Sequence, residues 1–193
     1  MKKLFYPLVF AAALAVQGCS NSANNANDTS DSTEIASDTT TTADVTSQQV
    51  SDSDTTFANK AAISGMAEVE FGQLALQKAS NAKVKDFASM MVKDHSKANE
   101  ELKAIATAKN IALPASLDAE HAKVKEELTA KTGAEFDKAY VKAMVDGHQK
   151  TLALMEDGSK NNQDAELKGF AAKTAPVVKL HLDMILKIQS ELK

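Results

Sequence analysis

From about residue 56 onward, apolar residues recur at steps of three and four along almost the whole chain. That spacing marks helices that each bury one stripe. A first helix is expected from about Thr56 to Ala79, capped by Asp54 or Thr55, with Ala61, Ser64, Glu68, Phe71 and Ala75 inward. Ser80-Asn81 breaks it. A second is expected from about Ala82 to Lys109, with Val84, Phe87, Met91, His95, Ala98, Leu102 and Ile105 on its stripe, ending at Asn110 and the segment around Pro114. A shorter, mostly charged helix fits about Leu117 to Lys131 and closes at Gly133. The next long helix fits about Ala134 to Glu156, with Phe136, Tyr140, Val141, Met144, His148, Leu152 and Met155 inward and a turn at Gly158 to Gln163. The last fits about Asp164 to Leu192, with Leu167, Phe170, Thr174, Val177, His181, Ile185, Ile188 and Leu192. Pro176 should kink it or leave carbonyls unpaired. No stretch alternates with period two, and Ala, Lys, Glu, Leu and Met, all strong helix formers, dominate.

Four long helices with one stripe each make an all-α four-helix bundle. Tight breaks make the first two helices antiparallel neighbours, and likewise the last two. The middle connection, about 24 residues from 110 to 133, carries its own short helix and is long enough to cross the bundle lengthwise. That is ferritin-like connectivity.

The pattern fails before residue 55. Lys2 and Lys3 precede an apolar run from Leu4 to Val16, then Gln17, Gly18 and Cys19. A basic start, a short apolar stretch and a small residue before the cut describe a secretory signal over residues 1–18. The run is too short to span a bilayer, which takes roughly 20 apolar residues. Val16-Gln17-Gly18-Cys19 resembles the lipobox of bacterial lipoproteins, in which the cysteine is acylated and becomes the mature N-terminus. By the same resemblance, an aspartate after the cysteine would favour the inner membrane, so Ser20 leans towards the outer one. The expectation is an outer-membrane lipoprotein of the cell envelope, facing the periplasm and held to the membrane by lipid. Residues 19–54 then form a tether. Ser, Thr, Asn, Asp, Gln and Ala dominate residues 20–54, with seven acids and no lysine. Too little apolar surface is present there to offset ordering entropy. As a flexible coil it would span about 30–35 Å.

Charge supports a boundary near 55. All 22 basic residues are lysine. Residues 55–193 keep twenty of them against nineteen acids, a net charge of +1. A near-neutral domain without arginine has no footprint for nucleic acid and no fork for bidentate phosphate binding. One cysteine excludes an internal disulfide, a thiolate zinc site and an iron–sulfur cluster. No protein partner is identified by any of these features.

Candidate chemistry therefore rests on histidines and carboxylates. His95, His148 and His181 fall on the buried stripes of three different helices, and Glu68 falls on the fourth. Glu70 competes with Glu68 but points roughly the other way. His121, in the charged short helix, should be exposed. Neutral imidazole is a common metal ligand, and bundle cores gather ligands from facing helices. Glu68, His95, His148 and His181 would suit zinc, copper, iron or manganese. Met91 and Met144 each precede a stripe histidine by four residues and would favour copper(I), although methionine is more often core filler. Asp94 and Tyr140 are expected in supporting or interhelix roles. Equally, the histidines could be neutral and hydrogen-bonded to Glu68, Asp94, Tyr140 or backbone. Counting from the turns puts Glu68, His95 and His148 in one layer. His181 is offset by on the order of one to two helical turns, which counts against a compact four-ligand centre.

Gly65-Met66-Ala67-Glu68-Val69-Glu70, the run Phe87 to Asp94-His95, Phe136-Asp137-Lys138-Ala139-Tyr140, and then His148 and His181 resemble the exported bacterial family known as domain of unknown function 4142. The similarity covers about residues 56 to 190. It implies a ferritin-like fold and often a signal or lipoprotein leader, with no established activity. Ferritin-like di-iron proteins use Glu-x-x-His on two helices and a Glu on each of the others. Here Met91 or Val92 stands where the glutamate before His95 would be, and Val177 and Val178 precede His181. That departure argues against a carboxylate-bridged di-iron oxidase and a ferritin-type iron store. The leading reading is a non-enzymatic, lipid-anchored bundle that binds a metal or small ligand. The alternatives are a structural or interaction module and a metal-dependent redox enzyme.

Replacing the acylated sulfur tests the anchor. Cys19→Ser should release the protein from membranes without unfolding it, because the tether isolates anchor from domain. Fractionation that finds the variant still on membranes would refute the lipid attachment.

Overall fold

The structure, a computed structural model, describes residues 50–192. The leader, Cys19 and all but the last few residues of the tether lie outside that range. Among the described residues there are five helices: α1 (Asp52–Lys78), α2 (Ala82–Ala108), α3 (Ala119–Thr129), α4 (Gly133–Asn161) and α5 (Ala165–Glu191). The fold is all-α, a ferritin-like four-helix bundle with α3 in the long crossover. α1 packs on α2 and α4, and α5 on α4 and α2, while α3 lies against α1 and α4. Among the described residues no helix is long and apolar enough to cross a membrane.

Each hairpin turn is held by an aspartate from the other hairpin. The Ser80 and Asn81 amides donate to Asp137 in the first turns of α4, at 3.0 and 2.9 Å, and the Ser80 hydroxyl donates to the same carboxylate. At the opposite end, the Gln163 and Asp164 amides donate to Asp54 near the start of α1, both at 3.0 Å. Both carboxylates are buried. These contacts fix the topology. α4 starts where α1 ends, so α2 and α4 run parallel and the connection between them returns along the bundle.

α1 begins four residues earlier than the apolar pattern suggests, with the Ser51 hydroxyl accepting from the Asp54 amide at 3.1 Å. Asp54, in sequence one acid of a polar tether, is thus a buried part of the bundle. α2 stops where Asn110 takes a left-handed φ of 56°. Gly133, with φ 57°, starts α4 rather than closing α3. α4 also continues through Gly158, where the turn was expected. A Cβ there would lie 2.4 Å from the Phe57 ring, so the missing side chain lets α1 approach and the helix runs on to Asn161. α5 stays helical through Pro176. The proline removes one N–H, which leaves the Ala172 carbonyl without its helical partner. On α5 the buried valine is Val178, whereas Val177 is 41 % exposed. The stripe steps back from His181 by three residues, not four.

The turn sequences themselves repeat. Asn81-Ala82-Lys83-Val84-Lys85-Asp86-Phe87-Ala88 aligns with Asp164-Ala165-Glu166-Leu167-Lys168-Gly169-Phe170-Ala171 without a gap. In each, the first side chain caps its helix by accepting backbone amides. The Val84/Leu167 and Phe87/Phe170 pairs seed two apolar clusters. One, around Phe71, Phe87, Phe136 and Tyr140, fills the α1–α2 turn end. The other, around Phe57, Leu102, Leu167 and Phe170, fills the α4–α5 turn end.

Removing the Asp137 carboxylate strands two amides and a hydroxyl. Asp137→Ala should lower the unfolding free energy by about 2 kcal/mol, measured by denaturant titration. A change within about 0.5 kcal/mol, the range of ordinary surface substitutions, would show that the turn does not depend on this pin.

Candidate metal centre

Between the two apolar clusters lies one polar layer: Glu68 from α1, His95 from α2, His148 and Thr151 from α4, and His181 from α5. All five are buried. In each hairpin the two residues differ in depth by the same amount. Glu68 is 10 residues before the end of α1 and His95 is 13 after the start of α2. His148 is 13 before the end of α4 and His181 is 16 after the start of α5. The expected offset of His181 disappears because α4 extends past Gly158. The three imidazoles meet, with ring centroids 5.2 Å apart for His95 and His181, 5.6 Å for His95 and His148, and 5.7 Å for His148 and His181. One ring nitrogen from each can be chosen so that all lie within 4.8 Å of one another.

Every ring has one nitrogen anchored and one left over. His148 Nδ1 donates to the Met144 carbonyl at 2.9 Å and lies 3.5 Å from Glu68 Oε1. A carbonyl only accepts, so in the neutral ring Nε2 carries a bare lone pair. His95 Nδ1 lies 2.8 Å from Glu68 Oε2. His181 Nε2 lies 3.2 Å from Asp94 Oδ2, a contact from α2 to α5. The other nitrogens, Nε2 of His95, Nε2 of His148 and Nδ1 of His181, are buried without a hydrogen-bond partner. Three such nitrogens, one on each ring of the cluster, match what metal-ligating histidines present: one lone pair for the ion, the opposite N–H held by a carboxylate or carbonyl.

The electrostatics suit that role. Burial lowers His148, with Glu68 opposing, and the ring stays below its usual pKa. Burial also lowers His181, joined by repulsion from the other two rings, down to about 4 despite Asp94. Both are neutral at pH 7, as a ligand must be. His95 is the exception. Burial pulls it down, but the Glu68 charge and contact outweigh that and raise it. Burial would raise Glu68, but the surrounding imidazoles, His95 foremost, bring it to about 2.

The expected residues are therefore placed as follows. His95, His148 and His181 converge. Glu68 sits in the same layer, 3 % exposed, bridging Nδ1 of His95 and of His148. Asp94 supports His181. Tyr140 is buried and stacked on Phe136, and its hydroxyl has no partner, so it binds none of the imidazoles. Burial, with the Glu68 charge behind it, raises its pKa far above the ordinary value. Met91 and Met144 are buried in the cluster at the α1–α2 turn end. Glu70 faces Lys125 of α3 at 2.7 Å. His121 is partly covered rather than exposed, its Nδ1 lying 2.6 Å from Asp118. Thr151 was not anticipated. Its hydroxyl reaches Glu68 Oε1 at 3.5 Å, and it follows His148 by three residues, so stripe spacing alone could have found it.

The chain belongs to the family described as a domain of unknown function, DUF4142, whose family model matches residues 39–188. In fold it is similar to a crystal structure of a DUF305 fragment from Deinococcus radiodurans, with a TM-score of 0.66, 10 % identity, and coverage of 74 % of this chain and 98 % of that one. It is also similar to CopM in its Cu(II)-bound form, with a TM-score of 0.63, 16 % identity, and coverage of 72 % and 97 %. The Cu(I)-bound form of CopM matches at a TM-score of 0.61 and 15 % identity, covering 72 % and 96 %. No curated protein sequence matches the chain.

The metal-free site should fail in acid. A group whose folded pKa is depressed towards the neutral imidazole is stable above 6.5 and loses that contribution as the unfolded chain takes protons the fold resists. His181, from 6.5 to about 4, and His148 act this way, while His95 opposes them. Glu68, from 4.5 to about 2, adds a further loss between those values. Denaturation midpoints of metal-free protein should fall between pH 6.5 and 4 and again below 4.5, with the first loss smaller in His181→Leu. A midpoint constant from pH 7 to 4 would contradict this account.

Proposed function

We propose that this protein binds one transition-metal ion on His95, His148 and His181, with Glu68 and Asp94 holding the rings. The observation that carries the reading is the set of three buried, unpartnered ring nitrogens contributed by three helices. Neutral imidazoles without a thiolate suit copper, zinc, iron or nickel, and among divalent ions copper binds such nitrogen sets most tightly. Copper is accordingly the first choice, and zinc the second. Fold similarity to CopM, whose structures include copper- and silver-bound forms, supports the same order. Bound there, the ion would be reached by three uncharged ligands and balanced by the nearby Glu68 carboxylate. We further propose that the bundle works in the cell envelope, anchored through Cys19 and held off the membrane by its acidic tether. Metal holding or delivery needs no reaction at the site, so a binding role is favoured over catalysis.

The competing reading is a polar layer that only sets helix register. Metal analysis separates the two. Untagged protein refolded with copper or zinc should retain one ion per chain, and His95→Ala with His148→Ala should abolish retention. Glu68→Gln should keep the ion but weaken binding about 10–100-fold. Absence of stoichiometric metal from the wild type would favour the register role. Unchanged affinity in the double variant would put the ion elsewhere.

A further inference from the structure

The triad is buried, so an ion must have a way in. We propose that the cleft beneath α3, between α1 and α4, is the route by which the metal reaches the centre, with His121 as its first, transient ligand. The inference rests on the reading of the triad as a metal site.

A cleft of about 190 Å³ runs from the surface of α3 to the polar layer. Its inner wall includes Glu68, Met144 and Thr151, and its outer wall includes Glu120, His121 and Asp146. It is therefore continuous from partly covered α3 residues to the carboxylate that touches His95 and His148. Small residues keep it open: Ala67, Ala143 and Gly147 line it, and a Cβ on Gly147 would meet nothing within 4 Å. That volume admits several water molecules, so an ion can enter partly hydrated.

His121 is presented as a ligand. Its Nδ1 faces the Asp118 carboxylate at 2.6 Å, which fixes the proton there and leaves Nε2 with a lone pair in the neutral ring. Charge favours this side. Glu68, Glu120 and Asp146 outweigh Lys150 along the cleft, so it attracts cations. A second cleft, about 240 Å³, approaches the layer from the α2–α5 side at Asp94. There Lys97 and Lys173 cancel Asp94 and Glu101, and the cleft is less enclosed. α3 itself is lightly held. Leu128 is its one buried residue, and the Lys150–Glu120 pair at 2.6 Å, which joins it to α4 beside the cleft, is exposed on both sides. Exposed pairs of this kind hold little, so α3 can yield to an incoming ion.

Stopped-flow mixing of copper(II) with metal-free full-length protein, read by charge-transfer absorption, tests the route. Gly147→Leu fills the cleft with a residue that also favours helix, so the variant should fold. It should load about tenfold more slowly than wild type, as expected when association needs a structural opening, yet reach the same final affinity. His121→Ala should slow loading in the same direction with affinity unchanged. If both variants load at the wild-type rate, the route is wrong while the centre stands. If His121→Ala weakens equilibrium binding without slowing loading, His121 holds the ion and is no waypoint. If the wild type takes up no copper, the metal reading itself fails.

Discussion

Burying the Glu68 carboxylate between four helices would cost several kcal/mol if nothing answered it, and that demand organises the middle of the bundle. The answer comes from three other helices. His95 and His148 bring ring nitrogens to its two oxygens, and Thr151 brings a hydroxyl. His181 completes the ring of imidazoles and is steadied by Asp94 from α2. Without Glu68 the histidines would have no common reason to face one another. Without them the carboxylate would have to take up a proton. The arrangement satisfies one nitrogen of each ring and leaves the other open. An apolar core with the same helices would pack as well, so these unpartnered nitrogens are the feature that packing does not explain.

The layer depends on depth as well as side-chain chemistry, and depth is set at the two ends of the molecule. Asp54 and Asp137 each pin the turn of the opposite hairpin. The matching turn sequences then start α2 and α5 with the same cap and the same apolar steps. As a result the three-residue stagger within α1–α2 is reproduced within α4–α5. A one-residue slip in either hairpin would rotate a histidine by about 100° out of the layer. Two buried aspartates roughly 20 Å away thus position imidazoles they never touch. Packing places the glycine that lets α4 run long, and that extra turn brings His148 level with its partners.

Much of this was readable from residue spacing. Helix number, the crossover and the placing of three histidines on buried stripes follow from three/four periodicity, because a buried imidazole or carboxylate occupies a stripe position like any apolar residue. That His181 is level with the other two does not, since it depends on where α4 ends. The errors have local causes. Gly158 looks like a turn residue, but its role is to admit Phe57, a contact distant in sequence. Asp54 looks like tether because composition cannot tell a solvated acid from one that accepts amides 109 residues away. Val177 and Val178 are adjacent and alike, so a step of three or four from His181 cannot be chosen by pattern alone. Ring orientation, which leaves one nitrogen of each histidine open, depends partly on Asp94, whose supporting role the sequence suggested, and partly on the Met144 carbonyl, which nothing in the residue type distinguishes from any other backbone acceptor.

The chemistry of the donor set narrows what such a centre is for. Carboxylate-rich bundles bridge hard ions and can turn them over between charge states, since anionic ligands move to balance the metal. Here the carboxylate stands behind the imidazoles, and the residues preceding His95 and His181 at Glu-x-x-His spacing are Val92 and Val178. Three imidazole nitrogens, once free of protons, would select borderline and soft ions over magnesium, calcium or manganese. Imidazoles give up an ion when protonated, so a metal bound as proposed would be held near neutral pH and released in acid. Enclosure by two apolar clusters leaves the clefts beside the layer as the ways in for any ion bound as proposed. On the proposed metal reading, these properties fit capture and transfer of an ion better than chemistry performed on it.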